Sequence, residues 1–350
     1  MAVETSGGGQ GSSLPPIVWP SQRVRIGPGP KVSEGAEGVA VHILFIADAA
    51  PVNVISEGLI GGLRSVGHEV LSYGPGLEVF FGSEVPIRDA LRMHNWRGPR
   101  FYPDLVWYSE SRFWPDWEGL DCPRVLTWAC PNCFDGSDMA READAVFLFR
   151  PQFIARVREL NPRTWWVPYG VDGTVYYPDL TAPKVYPVVS TGTPGDAQAT
   201  HWAELKARLG DRMLFVGEVW GADRAYLYRR SQIVVDWHAS DLWSDLTPMA
   251  MACGACDVAN ATPGLVDAFE PGRHFAPYRP ESLVETVTSL LADGERRRRI
   301  AEEGCREVLF RHTWRQRVDE MISLLDEAKV ILHVAKLPSQ FFLDPSGGEA

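Results

Sequence analysis

HASDLWSDLTPMAMACGACDVANATPGLVDAFEPG, residues 238–272, is the stretch on which the reading of this chain turns. The apolar run SQIVVDW before it has the composition of a buried strand that ends at His238. Thr247 stands before Pro248, the arrangement of an N-cap followed by proline at the first helical position. A short apolar helix, PMAMAC, is expected to stop at Gly254, and ACDVAN begins a new strand at once. Strand, loop, helix start, tight turn and strand form the cleft-lining half of an α/β unit. Backbone N–H groups exposed at such a helix start favour an anion, typically a phosphate.

The residues on either side repeat the pattern. VYPVVSTG (185–192) reads as a buried strand running into a Gly-Thr-Pro-Gly turn. A helix follows over AQATHWAELKARLG, then the strand MLFVG, which ends at Gly217. PESLVETVTSLLADGERRRRIAEEGCREVLF gives two helices, and HTWRQRVDEMISLLDEAKVILHVAKL a long terminal one. The first half opens with VHILFIA (41–47), near-continuous apolar as a strand covered on both faces should be. A loop, a helix over SEGLIGGLRSVG and the strand HEVLSYG complete a β-α-β opening, with Gly61 and Gly62 placed to bring the helix close to sheet or ligand. DLVWYSE, RVLTWAC and AVFLF are further strands, and 75–103 reads as a helix-and-loop excursion. Strands alternating with helices predict two parallel, doubly wound sheets. The opening is not the G-x-G-x-x-G fingerprint, so no nicotinamide site is read.

Composition sets the outer bounds. A chain of 350 residues is long enough for two ordinary domains, and 45% hydrophobic with 23% charged residues is a soluble globular balance. No apolar run reaches the roughly 18 residues of a membrane span, and the N-terminus lacks a signal-peptide pattern, so a cytosolic (cytoplasmic) location is the default. The net charge of -11 opposes a nucleic-acid surface. Residues 1–40 and those beyond 338 are Gly-, Ser- and Pro-rich or unpatterned and are expected to be tails. CPNC and CGAC have metal-ligand spacing, but lie ~120 residues apart, far from the 15–20 of a zinc ribbon. Reduced, buried cysteines are the simpler reading, and a metal or redox module the competing one.

Two motifs give this chain a family resemblance. WWVPYGVDGTVYYPD (165–179) resembles the interdomain hinge of retaining glycosyltransferases of the family 4, or group 1, type, a Pro-x-Gly-Val-Asp run with a later aromatic and proline. Pro168, Gly170, Val171, Asp172, Tyr177 and Pro178 carry the match. The opening stretch resembles the family's donor motif, a Glu, seven residues, then Glu-Ala-Met-Ala-Cys-Gly. Ala250, Met251, Ala252, Cys253 and Gly254 keep its tail, while Asp241 stands in place of the first Glu and Met249 in place of the second. CPRVLTWACPNCFDGSDMAREADAVFLF (122–149) is most similar to the CgeB-like (spore maturation protein) branch.

The resemblance implies a GT-B fold: α/β, two Rossmann-like doubly wound parallel-sheet domains facing across a cleft. The domains would be 41–182 on the acceptor side and 183–318 on the nucleotide-sugar side, with a helix over 319–337 crossing back. It implies transfer of a sugar from a nucleotide-sugar donor to a hydroxyl-bearing acceptor, retaining, with no cofactor and no obligatory metal. A degenerate donor motif also fits a GT-B binding or scaffold protein without activity. Neither the acceptor nor the oligomeric state is readable.

Candidate site residues follow from these placements. Gly192, Thr193 and Gly217 sit in turns at strand ends, where backbone N–H groups approach phosphates. Thr247, Pro248 and Met249 open the donor-side helix; Asp241, Asp245 or backbone groups replace the missing acid, or the donor is held differently, or the site is inactive. His238 stands at a strand mouth, able to bond a phosphate or a sugar hydroxyl, or to be a core-edge histidine. Glu110 and Asp48 end strands of the first half as acceptor-orienting groups or bases, or as solvated loop acids. The family's Arg and Lys pair for the diphosphate is not evident at its expected places; Arg224, Arg229 and Arg230 lie nearby in sequence, as such cations or, the simpler reading, as a solvated helix face. Trp107, Trp114, Trp117 and Trp128 fall near the first half's loop edge, as sugar-stacking faces or as core.

Overall fold

The computed structural model describes residues 40–48, 54–109, 120–129, 131, 135–191, 196–217, 219–236 and 246–331. They form two compact units, the first within Lys31–Asp172 and Thr313–Ala350, the second within Gly173–His312. Among the described residues no helix is long and apolar enough to cross a membrane.

In the first unit the chain runs β1 (His42–Ile46), α1 (Val54–Ser65), β2 (Glu69–Tyr73), α2 (Ile87–Arg97), β3 (Leu105–Ser109) and β4 (Arg124–Trp128). It continues through α3 (Ser137–Glu142), β5 (Ala145–Leu148), α4 (Ile154–Arg158) and β6 (Thr164–Trp166). The sheet is parallel throughout, in the order β2-β1-β3-β4-β5-β6. Its strands are apolar at successive positions because both faces are covered. Leu44, Ile46, Tyr108, Leu126 and Trp128 pack on one side with Ile87, Ala90 and Leu91 of α2, Met139 of α3 and Val157 of α4. Ile43, Phe45, Trp107, Val125 and Phe147 pack on the other with Leu59 and Leu63 of α1. Trp107 and Trp128 are therefore core residues, each almost fully buried, and not an exposed aromatic edge. Trp114 and Trp117 lie outside the described residues.

The second unit runs β7 (Tyr186–Thr191), α5 (Asp196–Leu209), β8 (Met213–Val216), α6 (Gly221–Arg229), β9 (Ser231–Val235) and α7 (Leu246–Ala252). β10 (Cys256–Asn260), α8 (Pro263–Ala268), β11 (Ala276–Tyr278), α9 (Leu283–Ala292) and α10 (Gly294–Arg311) follow. Its parallel sheet has the order β11-β10-β9-β7-β8. One face packs Val188, Ile233, Val235, Cys256 and Val258 against Leu205 of α5 and Leu283, Val287 and Leu290 of α9. α7 ends where the sequence placed its stop. Gly254 takes a left-handed φ of 69°, and its N–H and that of Ala255 return to the carbonyls of Met251 and Ala250.

The last helix, α11 (Trp314–Glu327), belongs to the first unit, where Trp314, Val318, Met321 and Leu325 fill the face shared with α1. The expected reason for the glycines of α1 needs correcting here. A Cβ at Gly61 would meet nothing within 4 Å, whereas one at Gly62 would lie 2.9 Å from the Trp314 carbonyl oxygen and Val318. A Cβ at Gly58 would come within 2.0 Å of the Trp314 indole nitrogen. Gly58 and Gly62 therefore admit α11, not the sheet or a ligand. The helix start at Thr247 is corrected as well: α7 begins at Leu246, and the Thr247 hydroxyl donates to Asp236 Oδ2 at 2.6 Å instead of capping. β6 and β11 are additions, three-residue strands that the hinge run and the FAPY segment conceal.

Candidate functional site

In an open parallel sheet, ligands settle at the carboxyl ends of the strands where the winding direction reverses. Each unit has one such point. From β1 the first unit's chain moves to β2 on one side and then to β3 on the other. From β7 the second unit's chain moves to β8 and then to β9. The reversal points lie between the ends of β1 and β3 and between those of β7 and β9.

At the first edge, Asp48 follows β1 by two residues and is half-buried. Across from it Ser56, in the first turn of α1, donates to Ser109 Oγ at the end of β3, 2.8 Å away and buried. That bond ties the start of α1 to the strand that leads into Glu110. Glu110 itself lies outside the described residues.

The second edge is richer. Thr191 ends β7 and shares a 2.6 Å hydrogen bond with the Tyr228 hydroxyl, which fixes α6 to the strand end. Burial raises the Tyr228 phenol far above its ordinary range, so the hydroxyl stays protonated. Gly217 follows β8, with open space where a Cβ would be. Asp236 follows β9, is 2% exposed, and accepts from Thr247; Tyr278, ending β11, donates to its carbonyl at 3.2 Å. Asp257, the second residue of β10, is fully buried beside Asp236 and the Thr247 hydroxyl. Burial first, then the neighbouring Asp236 carboxylate, hold Asp257 well above the usual carboxylate range.

Met249 and Pro248 are buried in α7, and Arg224 Nη1 points at Met249 Sδ from 3.6 Å. Arg224 is 3% exposed, with its guanidinium carbon 4.6 Å from the centre of the Trp220 ring. The reading of a solvated arginine face is thereby overturned. Arg229 donates to the carbonyls of Val175 and Tyr177, and Arg230 stacks on Tyr226. Gly192, Thr193, His238 and Asp241 all lie outside the described residues, as does Asp245. Cys253 and Cys256 are buried, and burial pushes each thiol up to about 12, which leaves them protonated and unreactive. Cys130 and Cys133 lie outside the described residues. Among the described residues no group of His, Cys, Asp or Glu is arranged to hold a metal ion.

Two edge residues escaped the sequence reading, Asp236 and Asp257, and a third, Arg224, was placed there on a solvated face. The signal was present. Each is an ionisable residue inside an apolar pattern, IVVDW and CDVA for the acids. Arg224 falls with Ala225, Leu227 and Tyr228 on the buried stripe of α6.

Residues 180–323 match the family described as glycosyl transferase-like. No curated protein matches the chain. Several solved structures share its fold. Sucrose-phosphate synthase from Thermosynechococcus elongatus superposes with a TM-score of 0.56 at 16% identity, covering 84% of this chain and 100% of its own. Anabaena Alr3699/HepE, solved in complex with UDP and glucose, gives 0.59 at 14% identity, over 82% and 99%. The catalytic domain of starch synthase IV from Arabidopsis thaliana, bound to ADP and acarbose, gives 0.59 at 12% identity, over 83% and 99%. Two parallel-sheet α/β units with these neighbours make the chain a GT-B fold, within which residues 180–323 are similar to the glycosyl transferase-like family.

Proposed function

We propose that this protein is a glycosyltransferase that moves a sugar from a nucleotide-sugar donor to a hydroxyl-bearing acceptor. The observation that carries the reading is a coincidence of place. The matched segment 180–323 contains the described groups at the reversal point between β7 and β9: the Thr191–Tyr228 bond, Gly217, the start of α6 and the buried Asp236–Thr247 pair. The UDP bound by the Anabaena protein and the ADP bound by the Arabidopsis one support a nucleoside diphosphate as the leaving group.

In this reading the second unit holds the donor through Gly192, Thr193, Gly217, Asp241 and the Thr247-Pro248-Met249 start of α7. Preorganised N–H groups and cations stabilise the departing diphosphate, so the reaction runs without an obligatory metal or cofactor. His238 contacts a phosphate or the sugar. Asp48 and Glu110, at the first unit's reversal point, orient the acceptor hydroxyl or take its proton. Retention of anomeric configuration, the CgeB-like affiliation and a cytoplasmic location extend the same reading. One observation favours a second one, a GT-B protein that binds without transferring: position 249 offers a buried thioether and no carboxylate.

A thermal-shift panel of nucleoside diphosphates and nucleotide sugars, on wild type and Asp241→Ala, tests the proposal. A ligand that binds the folded state raises its stability by mass action. A selective shift, lost in Asp241→Ala, is expected. No shift from any nucleotide at about millimolar concentration, roughly where even weak sites respond, would exclude the donor site.

A further inference from the structure

The buried charge at the second unit's edge has no ion-pair partner among the described residues, and two other arginines show how unusual that is. A guanidinium is charged at every relevant pH and offers five N–H donors. Removing it from water is costly unless an anion or several acceptors receive it. Arg317, also buried, has Glu320 at 3.3 Å. Arg229 has two backbone carbonyls. Arg224, 3% exposed, makes no ion pair among the described residues. Its Nε has no hydrogen-bond partner, its Nη1 reaches only a thioether sulfur, and one face lies against Trp220. A thioether is a weak acceptor and an indole face leaves the in-plane donors free.

We propose that Arg224 is the receptor for a phosphoryl anion of the ligand, so that the strand-end edge beside α7 is cationic where the family pattern places an acid. For the ligand's class the inference rests on the donor reading above. Three features bear on it. Arg224 is the fourth residue of α6, whose first-turn N–H groups add to the same positive end. α6 starts four residues beyond Gly217 and is pinned to the end of β7 through Tyr228 and Thr191, so the guanidinium is held rigidly at the edge. Trp220, 41% exposed, covers one side of the guanidinium and leaves its N–H edge for two oxygens of one phosphoryl group. Met249 then has a positive reason to be there. A carboxylate at 249, in van der Waals reach of Arg224, would pair with it and cancel the charge from within the chain.

This gives opposite expectations for one substitution. If position 249 has merely lost the family's acid, Met249→Glu restores nucleotide binding. If Arg224 is the anion receptor, Met249→Glu weakens it. The measurement is calorimetric titration of the full chain with inorganic pyrophosphate, with UDP, ADP and GDP, and with the parent nucleosides. The expected result is that pyrophosphate and one diphosphate bind, and that Arg224→Met and Met249→Glu each weaken both by about tenfold or more. The nucleoside is unaffected, and the melting temperature of unliganded Arg224→Met equals or exceeds that of wild type, because an unpaired buried charge has been removed. A diphosphate affinity unchanged in Arg224→Met, or raised in Met249→Glu, overturns the inference and leaves the donor reading standing. A clear fall in the melting temperature of unliganded Arg224→Met, with pyrophosphate binding intact, assigns the arginine an internal partner and also overturns it. Wild type that binds neither pyrophosphate nor any nucleotide overturns both.

Discussion

At the scale of single residues, the second unit's edge is governed by ionisable groups in apolar surroundings. Asp257 is the clearest. Its folded-state pKa is raised by burial and by Asp236, so the folded chain keeps a proton that the unfolded chain releases above about pH 4. Because the folded state binds more protons, stability falls as pH rises between the two values, by about 1.4 kcal/mol per pH unit. Asp257→Asn is neutral throughout and removes that slope. Urea denaturation at about pH 4.5 and about pH 7.5 is expected to show the variant gaining on wild type as pH rises. A constant difference between the two would mean that Asp257 is ionised in the folded chain. These acids were visible in the sequence only as interruptions of strand patterns. Arg224 was masked by its neighbours: an Arg229-Arg230 pair gives α6 a charged look, while the buried stripe runs through residue 224.

At the scale of elements, the chain's apolar runs translated directly into strands. A strand covered on both faces is apolar over most of its length, and ILFIA, LVWY and IVV are the unbroken apolar centres of three such runs. The elements that were not legible are short and lie at sheet edges. β6 and β11 each have three residues and one neighbouring strand, too few for a period to register. Helix-to-helix contacts were equally hidden, since no local pattern links α1 to a helix that begins some 250 residues later, at Trp314. The glycines of α1 now separate by position. Gly58→Ala drives a methyl into the Trp314 ring and is expected to destabilise by about 1–3 kcal/mol, as overpacking does. Gly61→Ala meets open space and is expected to stabilise by about 0.5–1 kcal/mol, the ordinary gain in a helix interior. Chemical denaturation of the two variants checks the pair, and the same sign for both would refute the assigned packing.

At the scale of the whole molecule, each of the two parallel sheets has one winding reversal, and described polar groups gather at both. Asp48 and the Ser56–Ser109 bond lie at one, and Thr191, Gly217 and Asp236 at strand ends of the other. The hinge and donor motifs were legible because they are punctuated by Pro, Gly and Cys at fixed intervals. The donor chemistry was less so, because it depends on which charges are buried, and burial is a property of the folded unit. The last helix ties the chain's end to its beginning. Trp314, Val318, Met321 and Leu325 cover a face that also holds Phe45, Trp107 and Phe147. A chain ended after His312 is expected to lose the unfolding transition of the first unit, followed by calorimetry, and to keep that of the second. Loss of both, or of neither, would contradict the division at Thr313.

The central claim is that a nucleoside diphosphate binds at the carboxyl edge of the second sheet. Amide hydrogen exchange of the full chain, with and without a nucleoside diphosphate, tests it most directly. The account predicts protection in peptides spanning 189–196, 217–226 and 236–250, where the strand ends meet α6 and α7. Protection confined to other peptides, or none with any of UDP, ADP and GDP, would contradict it.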